Sequence, residues 1–524
     1  MAVVPLHEQE EVHERRWFLL GVMCLSLVMV VMSVSSLNVA IPTLQRELDA
    51  SASQLQWIVD SYALVFAGLL LTAGAIGDRF GRKHALLGGL VVFGIGNLVA
   101  GLATEAKMVI AGRAIAGIGA AFIMPATLSL ITSIFPPHER RKAIAIWAGF
   151  AGAGGALGQI VSGALLEGFW WGSAILINVP VVVGVAAMVA VFAPRSRDDS
   201  NTPLDPVGAL LSLVGLAALL YGIIEGPERG WSDGLVLAAF VVAAVVLVAF
   251  LAWERRVEHP MLPLAFFRDR RFSVGSAVIT VAFFSMFGFF FMFSQYLQFA
   301  RGYSPLLAGA AVLPMTAVMI GVAPRSAGLA ERIGGGPIIV LGFTSMALGF
   351  GVLGLISEST SYLVLLVAIV LLALGMSITV APATGNIMAS VPMGRAGVGS
   401  AVNDTTREVG GALGIALLGT IVNAAYRSNV DLTGLALPAD AAEAAGESVG
   451  AANAIADQIG GQGGAALLQR AAHAFADALN MAATVSVAIA IAAAAAVAYT
   501  FSRRKEREAH ELAEPGQPSP IGAH

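Results

Sequence analysis

Fourteen apolar stretches, each long enough to cross a lipid bilayer, follow one another along this chain of 524 residues. A bilayer-crossing helix needs about 20 such residues. The stretches fall near 17–41, 54–76, 85–103, 107–132, 141–166, 173–193, 206–224, 234–253, 272–299, 304–328, 337–356, 361–389, 397–424 and 478–501. Hydrophobic residues make up 57% of the chain and charged ones only 12%, against about 25% charged in ordinary soluble domains. The sequence therefore predicts an all-α membrane protein with fourteen transmembrane helices. The charged head before the first span is followed by an apolar run too long for a cleavable signal.

The placement of Lys and Arg tests the count. With an internal N-terminus, 22 of the 30 basic residues fall in cytoplasmic turns, six outside, and two, Arg113 and Arg407, within spans. This asymmetry obeys the positive-inside rule, and one helix more or fewer destroys it. Both termini are thus expected in the cytoplasm. A net charge of −4 gives no reason to expect nucleic acid as a partner. The single cysteine, Cys24, excludes a disulfide framework and a cysteine metal site. Arginine far outnumbers lysine, and Ala and Gly abound, a bias that points to a bacterial chain.

One turn stands out. Gly74, Gly77, Asp78, Arg79, Gly81, Arg82 and Lys83 form a glycine-punctuated charged connection between the second and third spans. A basic turn obeying topology alone needs neither the glycines nor the lone aspartate. Residues 327–334 echo 75–81 in the order small, apolar, acid, Arg, apolar, Gly, with Glu331 at the place of Asp78. Two related six-helix halves with the pair at 206–253 inserted between them account for both the echo and the total.

The spacing G-x-x-x-D-R-x-G-R-K resembles the loop between helices 2 and 3 of the major facilitator superfamily. Further segments are similar to its drug:proton antiporters with fourteen spans. Residues 38–42 read N-V-A-I-P, residues 112–121 carry Gly112, Arg113, Gly117 and Gly119, residues 176–180 read L-I-N-V-P, and residues 401–411 hold Asp404, Arg407 and Glu408. The resemblance covers about 17–501 and is silent on substrate. Two positions depart from the pattern. Gln159 stands where the fifth span usually has a helix-kinking proline, and Ser33 where the first often has an aspartate.

The resemblance implies a bacterial cytoplasmic-membrane exporter of small hydrophobic or drug-like compounds driven by protons, functional as a monomer and neither an enzyme nor dependent on a cofactor or metal. It divides the chain into a cytoplasmic segment 1–16, a six-helix half 17–193, a linker 194–271 with two extra helices, a second half 272–501 with a long external loop at 425–477, and a tail 502–524. Prolines at 515, 518 and 520 mark that tail as disordered. No G-x-x-x-x-G-K-[ST] motif appears, so ATP is not expected to drive transport through this chain. A facilitator, an importer of a specific metabolite and a non-transporting sensor share the same fold.

Ionisable groups inside a span are costly and mark pathways by default. Asp60 lies roughly 9 Å into the second span at 1.5 Å per residue, with Arg113 at similar depth in the fourth. Since Ser33 does not ionise, Asp60 is the expected acidic partner of Arg113. Asp404 and Glu408, four apart, share a helix face with Arg407 offset beside them. Two carboxylates so close in a low dielectric repel when both are ionised, which favours proton exchange there. Gly74, Asp78, Arg79, Gly81 and Arg82 are expected to form a gate, with Asp78 facing the N-terminus of the thirteenth span, where a negative charge is favoured by about 0.3–1 kcal/mol. Ser33, Asn38, Phe287, Gln295, Tyr296 and Arg407 are the expected cavity lining; flexible methionines and aromatic faces suit hydrophobic cargo.

Overall fold

The structure, a computed structural model, describes residues 6–48, 52–196, 205–435 and 437–513, and within these the side chains of residues 7, 38, 39, 41, 42, 45, 46, 52, 53, 56, 151–153, 156, 228, 305 and 501–513 lie outside the description. In lipid every backbone polar group must be satisfied within its own segment, so apolar runs become helices. The chain is a succession of them: α1 (Glu10–Glu47), α2 (Ala52–Phe80), α3 (Arg82–Gly101), α4 (Ala106–Ile134), α5 (Pro137–Gly168), α6 (Ser173–Leu176), α7 (Asn178–Phe192), α8 (Pro206–Arg229), α9 (Gly234–Glu254) and α10 (Arg270–Gln295). A π-helical turn, Tyr296–Ala300, leads to α11 (Pro305–Ala311), α12 (Leu313–Ile333), α13 (Gly335–Leu353), α14 (Tyr362–Ala389), α15 (Ala396–Asn429), α16 (Ala439–Glu447), α17 (Val449–Ile459) and α18 (Gly461–Ala513).

Starts and stops follow local chemistry. Asp205, Asp233, Asp269, Ser304 and Ser361 each accept a backbone N–H from the first turn of the helix they precede. Proline opens α5, α8 and α11, where its missing N–H costs nothing. Gly81 (φ 109°) and Gly334 (φ 92°) end α2 and α12 in a conformation that L side chains rarely adopt. The sequence echo is thus a repeated turn geometry.

Among the described residues, thirteen segments are long and apolar enough to cross a membrane. The stretch near 141–166 is not among them; it lies in α5, where the side chains of residues 151–153 and 156 are outside the described residues. The total of fourteen is therefore not confirmed among the described residues, which give thirteen such segments. The last connection also differs from expectation. α15 continues to Asn429 and α18 starts at Gly461, so residues 461–477 of the expected loop are helical and continuous with the final span.

Helices α1 to α7 pack among themselves, as do α10 to α18, and the two groups meet through α2 with α15, α4 with α15, and α5 with α11, α12 and α14. Small residues make the close approaches. A Cβ on Gly414 would lie 2.1 Å from Phe284 O, and one on Gly119 2.3 Å from Phe93 N, so backbones touch where α15 crosses α10 and α4 crosses α3. α8 packs against α2 and α15 together, and Trp231 at its end donates to Thr420 Oγ1 at 3.3 Å. The inserted pair therefore lies along the seam between the two groups.

The basic turns come together on one face. Arg16 donates to Glu139, Lys83 to Ala193 O, and Arg395 to Pro260 O. On the opposite face Arg301 donates to Glu358 O and Asn480 to Ile356 O. We refer to these as the basic face and the loop face. The helical hairpin α16–α17 docks on α15, α18 and the π-helical turn, all in the second group.

Candidate functional site

On the basic face the end of α2 meets the start of α15. Asp78, buried, accepts from Gly397 N at 2.9 Å and Val398 N at 3.1 Å, the first free amides of α15. Those amides have no intrahelical acceptor, and the helix dipole adds to their attraction for a carboxylate. Arg82, four residues on and equally buried, pairs with Asp78 at 2.9 Å. Its remaining donors reach Ser133 Oγ, Ser196 Oγ and Met393 O. One guanidinium thus ties α3 to α4, to the segment after α7 and to the turn before α15.

The glycines permit this approach. A Cβ on Gly74 would stand 2.6 Å from Gly397 O and 2.8 Å from Ala401 Cβ, and one on Gly397 would stand 2.6 Å from Gly74 O. Of the expected gate residues, Gly74, Asp78 and Arg82 meet the second group across the seam, while Gly81 turns the chain between α2 and α3. Arg79 lies over the Phe80 ring at 5.4 Å. The equivalent contact of the repeat is weaker: Glu331 at the end of α12 meets Arg141 at the start of α5 at 3.5 Å, with both side chains more than half exposed.

Deeper in the first group, Arg113 of α4 is buried and donates to Ser33 Oγ at 3.0 Å, Ser33 O at 3.1 Å and Ile58 O at 3.2 Å. Its guanidinium lies 4.3 Å from the centre of the Tyr62 ring. Ser33 therefore serves as an acceptor on α1 where a carboxylate was expected by resemblance. The hydrogen bonds of Arg113 do not go to Asp60, so the expected pair is not formed as a hydrogen-bonded one; neutral oxygens and an aromatic face hold the cation. Gly117 brings α4 against Tyr62, whose carbonyl would lie 2.7 Å from an added Cβ.

In the second group, α15 carries Asp404 and Arg407, both buried. Arg407 Nη1 is 3.6 Å from Asp404 Oδ1, which also accepts from Asn403 Nδ2 at 3.2 Å, while Thr384 of α14 donates to Asn403 Oδ1. The guanidinium is sandwiched between Trp147 of α5, 5.0 Å from ring centre, and Phe283 of α10 at 4.7 Å. Trp147 belongs to the other group of helices, so this cation–π contact crosses the seam. Arg407 Nε and Nη2 and Asp404 Oδ2 have no hydrogen-bond partner. Glu408 lies within electrostatic reach of Arg407 and of Tyr62 on α2. Asp404, Arg407 and Glu408 are thus brought together as expected from their spacing.

The remaining lining residues divide. Phe287 packs its ring on Gly411 beside this cluster. Gln295 turns back to Phe291 O at 3.5 Å. Tyr296 is fully buried and donates to Ser357 O at 2.6 Å in the turn after α13. It anchors that turn and does not line a cavity, a correction to the sequence reading. Asn38 has its side chain outside the described residues. Trp147 and Phe283 were missed, because an aromatic residue in an apolar run carries no signal of the cation it covers. Among the described residues no cluster of His, Cys, Asp and Glu is arranged to hold a metal ion.

The Major Facilitator Superfamily matches residues 23–415. The multidrug efflux pump LfrA of Mycolicibacterium smegmatis is 36% identical over 464 residues, covering 88% of this chain and 91% of that protein. The methyl viologen resistance protein SmvA of Salmonella typhimurium is 32% identical over 462 residues, with 88% and 93% covered. The crystal structure of the human organic anion transporter MFSD10 shares the fold with a TM-score of 0.58 at 14% identity, covering 92% of this chain and all of that one. The chain belongs to the Major Facilitator Superfamily and is a multi-pass membrane protein.

Proposed function

We propose that this chain exports small hydrophobic or drug-like compounds across the bacterial cytoplasmic membrane in exchange for protons. The observation that carries the reading is the buried pair Asp404 and Arg407, with Glu408 in electrostatic reach and Arg407 lying against Trp147 across the seam. A proton or a cargo group arriving there alters the charge balance of a contact shared by both halves, which is what coupled alternating access requires. The names of LfrA and SmvA, a multidrug efflux pump and a methyl viologen resistance protein, support export. The same basis supports a division into halves 17–193 and 272–501 around the linker 194–271, with both termini and the basic face in the cytoplasm.

In this reading the contacts of Asp78 with Gly397 N and Val398 N and of Arg82 with Met393 O close the cytoplasmic side, and each cycle breaks them. Arg113 and Asp60 accompany the outer part of the path, with Asp60 a second protonation site. One proton crossing a potential of 100 mV supplies about 2.3 kcal/mol. Neither a cofactor nor catalysis enters, and a monomer suffices.

Cells preloaded with a panel of lipophilic dyes provide the test. Efflux should vanish with a protonophore and with Asp404→Asn. Protonophore-insensitive efflux would replace the antiporter with a facilitator, and binding without flux would make the chain a sensor.

A further inference from the structure

The two seam contacts on the basic face are unequal. Asp78 is buried against α15 with Arg82 beside it, whereas its repeat partner Glu331 meets Arg141 in the open. Exposed pairs of this kind contribute little. Yet the second contact borders a groove of about 590 Å³ whose walls come from α5 on one side and α12 on the other. α5 contributes His138, Arg141 and Lys142, and α12 contributes Arg325 and Arg332, all exposed. Glu331 is the one carboxylate among the lining residues. With histidine neutral, four fixed cations face a single anion. Among the described residues Arg325 donates to the Gly321 carbonyl, and Lys142 lies over the Trp17 ring at 5.2 Å. Among the described residues the groove lining has a surplus of positive charge.

Its position says which anion answers it. The groove lies on the basic face, between the start of α5 and the end of α12. α12 also exposes Ile320, Leu329 and Ile333, each more than a third accessible, so apolar surface continues from the cationic rim. Soluble phosphate uses only the cations; a phospholipid uses both features. We propose that this groove binds the phosphate headgroup of an anionic phospholipid of the cytoplasmic leaflet, its acyl chains lying along α12. Because the cations come from both sides of the seam, a bound headgroup holds α5 to α12 and favours the state in which the basic face is closed. The leaflet assignment rests on the orientation proposed above.

The test uses the purified full chain in detergent and follows its thermal unfolding with diphosphatidylglycerol, phosphatidylethanolamine or inorganic phosphate added. Diphosphatidylglycerol should raise the unfolding temperature, and the other two should not. Lys142→Gln combined with Arg325→Gln should lose at least half of that rise while matching wild type without lipid. Should the double variant itself be unstable, Arg332→Gln alone serves the same comparison. A full rise in the variant overturns the site, and an equal rise with inorganic phosphate overturns the lipid. Dye efflux measured separately distinguishes the two readings: a lipid-dependent rise without efflux leaves the groove and removes the transport function, and efflux without the rise does the reverse.

Discussion

At the scale of the residue, the strongest determinant is a carboxylate given two backbone amides. Asp78 binds Gly397 N and Val398 N and pairs with Arg82, all out of water. Removing one partner of such a buried group costs on the order of 3–5 kcal/mol. Asp78→Asn should therefore depopulate the closed basic face by about a hundredfold or more and abolish cycling. A cysteine at buried Ser400 on α15, in a Cys24→Ser background, reports this through thiol labelling. Unchanged labelling with lost transport would move the role of Asp78 elsewhere. A second residue-scale pair is milder. The Arg16 guanidinium holds Glu139 below the usual carboxylate range, chiefly through its hydrogen bond. A depressed carboxylate stabilises the fold above its unfolded pKa, and that contribution disappears as pH falls through the depressed value. Glu139→Gln should lower stability by about 0.3–1 kcal/mol near neutral pH, and the difference from wild type should vanish once pH has fallen through the depressed value. Unfolding temperatures of both proteins across pH would show the curves merging on the acid side.

At the scale of the element, helix propensity and helix packing make opposite demands on glycine. On α15, a Cβ at Gly414 would press 2.1 Å from Phe284 O, and one at Gly410 2.3 Å from Thr280 O. On α13, a Cβ at Gly351 would meet nothing within 4 Å. Gly351→Ala should stabilise by about 0.5–1 kcal/mol through reduced backbone freedom, whereas Gly414→Ala should destabilise by about 1–3 kcal/mol by separating α10 from α15. Thermal unfolding of the two variants decides the matter by sign. If both changes acted alike, contact between these backbones would not be what holds the pair. The same contrast explains Gln159. It lies within α5, which runs unbroken past it, and it faces Gly309 of α11 across the seam, 3.2 Å from where a Cβ would sit. A side chain that ends in an amide is tolerated there because it meets a glycine.

At the scale of the molecule, α5 and α12 approach each other closely enough to be joined. An added Cβ on Gly149 would sit 3.1 Å from Ala323 Cβ, near the separations found in disulfides, about 3.5–4.5 Å. Gly149→Cys with Ala323→Cys, without Cys24, should cross-link on oxidation and stop dye efflux, and a reductant should restore it. Efflux by the fully cross-linked protein would show that the halves do not part there during the cycle. The inserted pair adds a constraint of its own. α8 packs on α2 and α15 at once, so it covers one side of the seam and leaves the α5–α12 side as the one that carries the cationic groove.

Much of this was legible in the sequence because it depends on short-range pattern. Apolar runs of sufficient length become helices wherever water is absent, basic residues sort the turns to one face, and carboxylates four apart on a helix share a side. The Asp78 turn and the Asp404–Glu408 spacing were therefore visible from the residues alone. Pairing across the molecule was not. Arg113 turned to Ser33, Ile58 O and the Tyr62 ring, not to a hydrogen bond with Asp60. Tyr296 bonded the turn after α13, and Trp147 covered a cation 260 positions further along the chain. A pattern fixes which face of a helix a side chain occupies. Only the packing of helices distant in sequence decides what that face meets, because contact energies between them depend on position in space and leave no periodic trace in the chain.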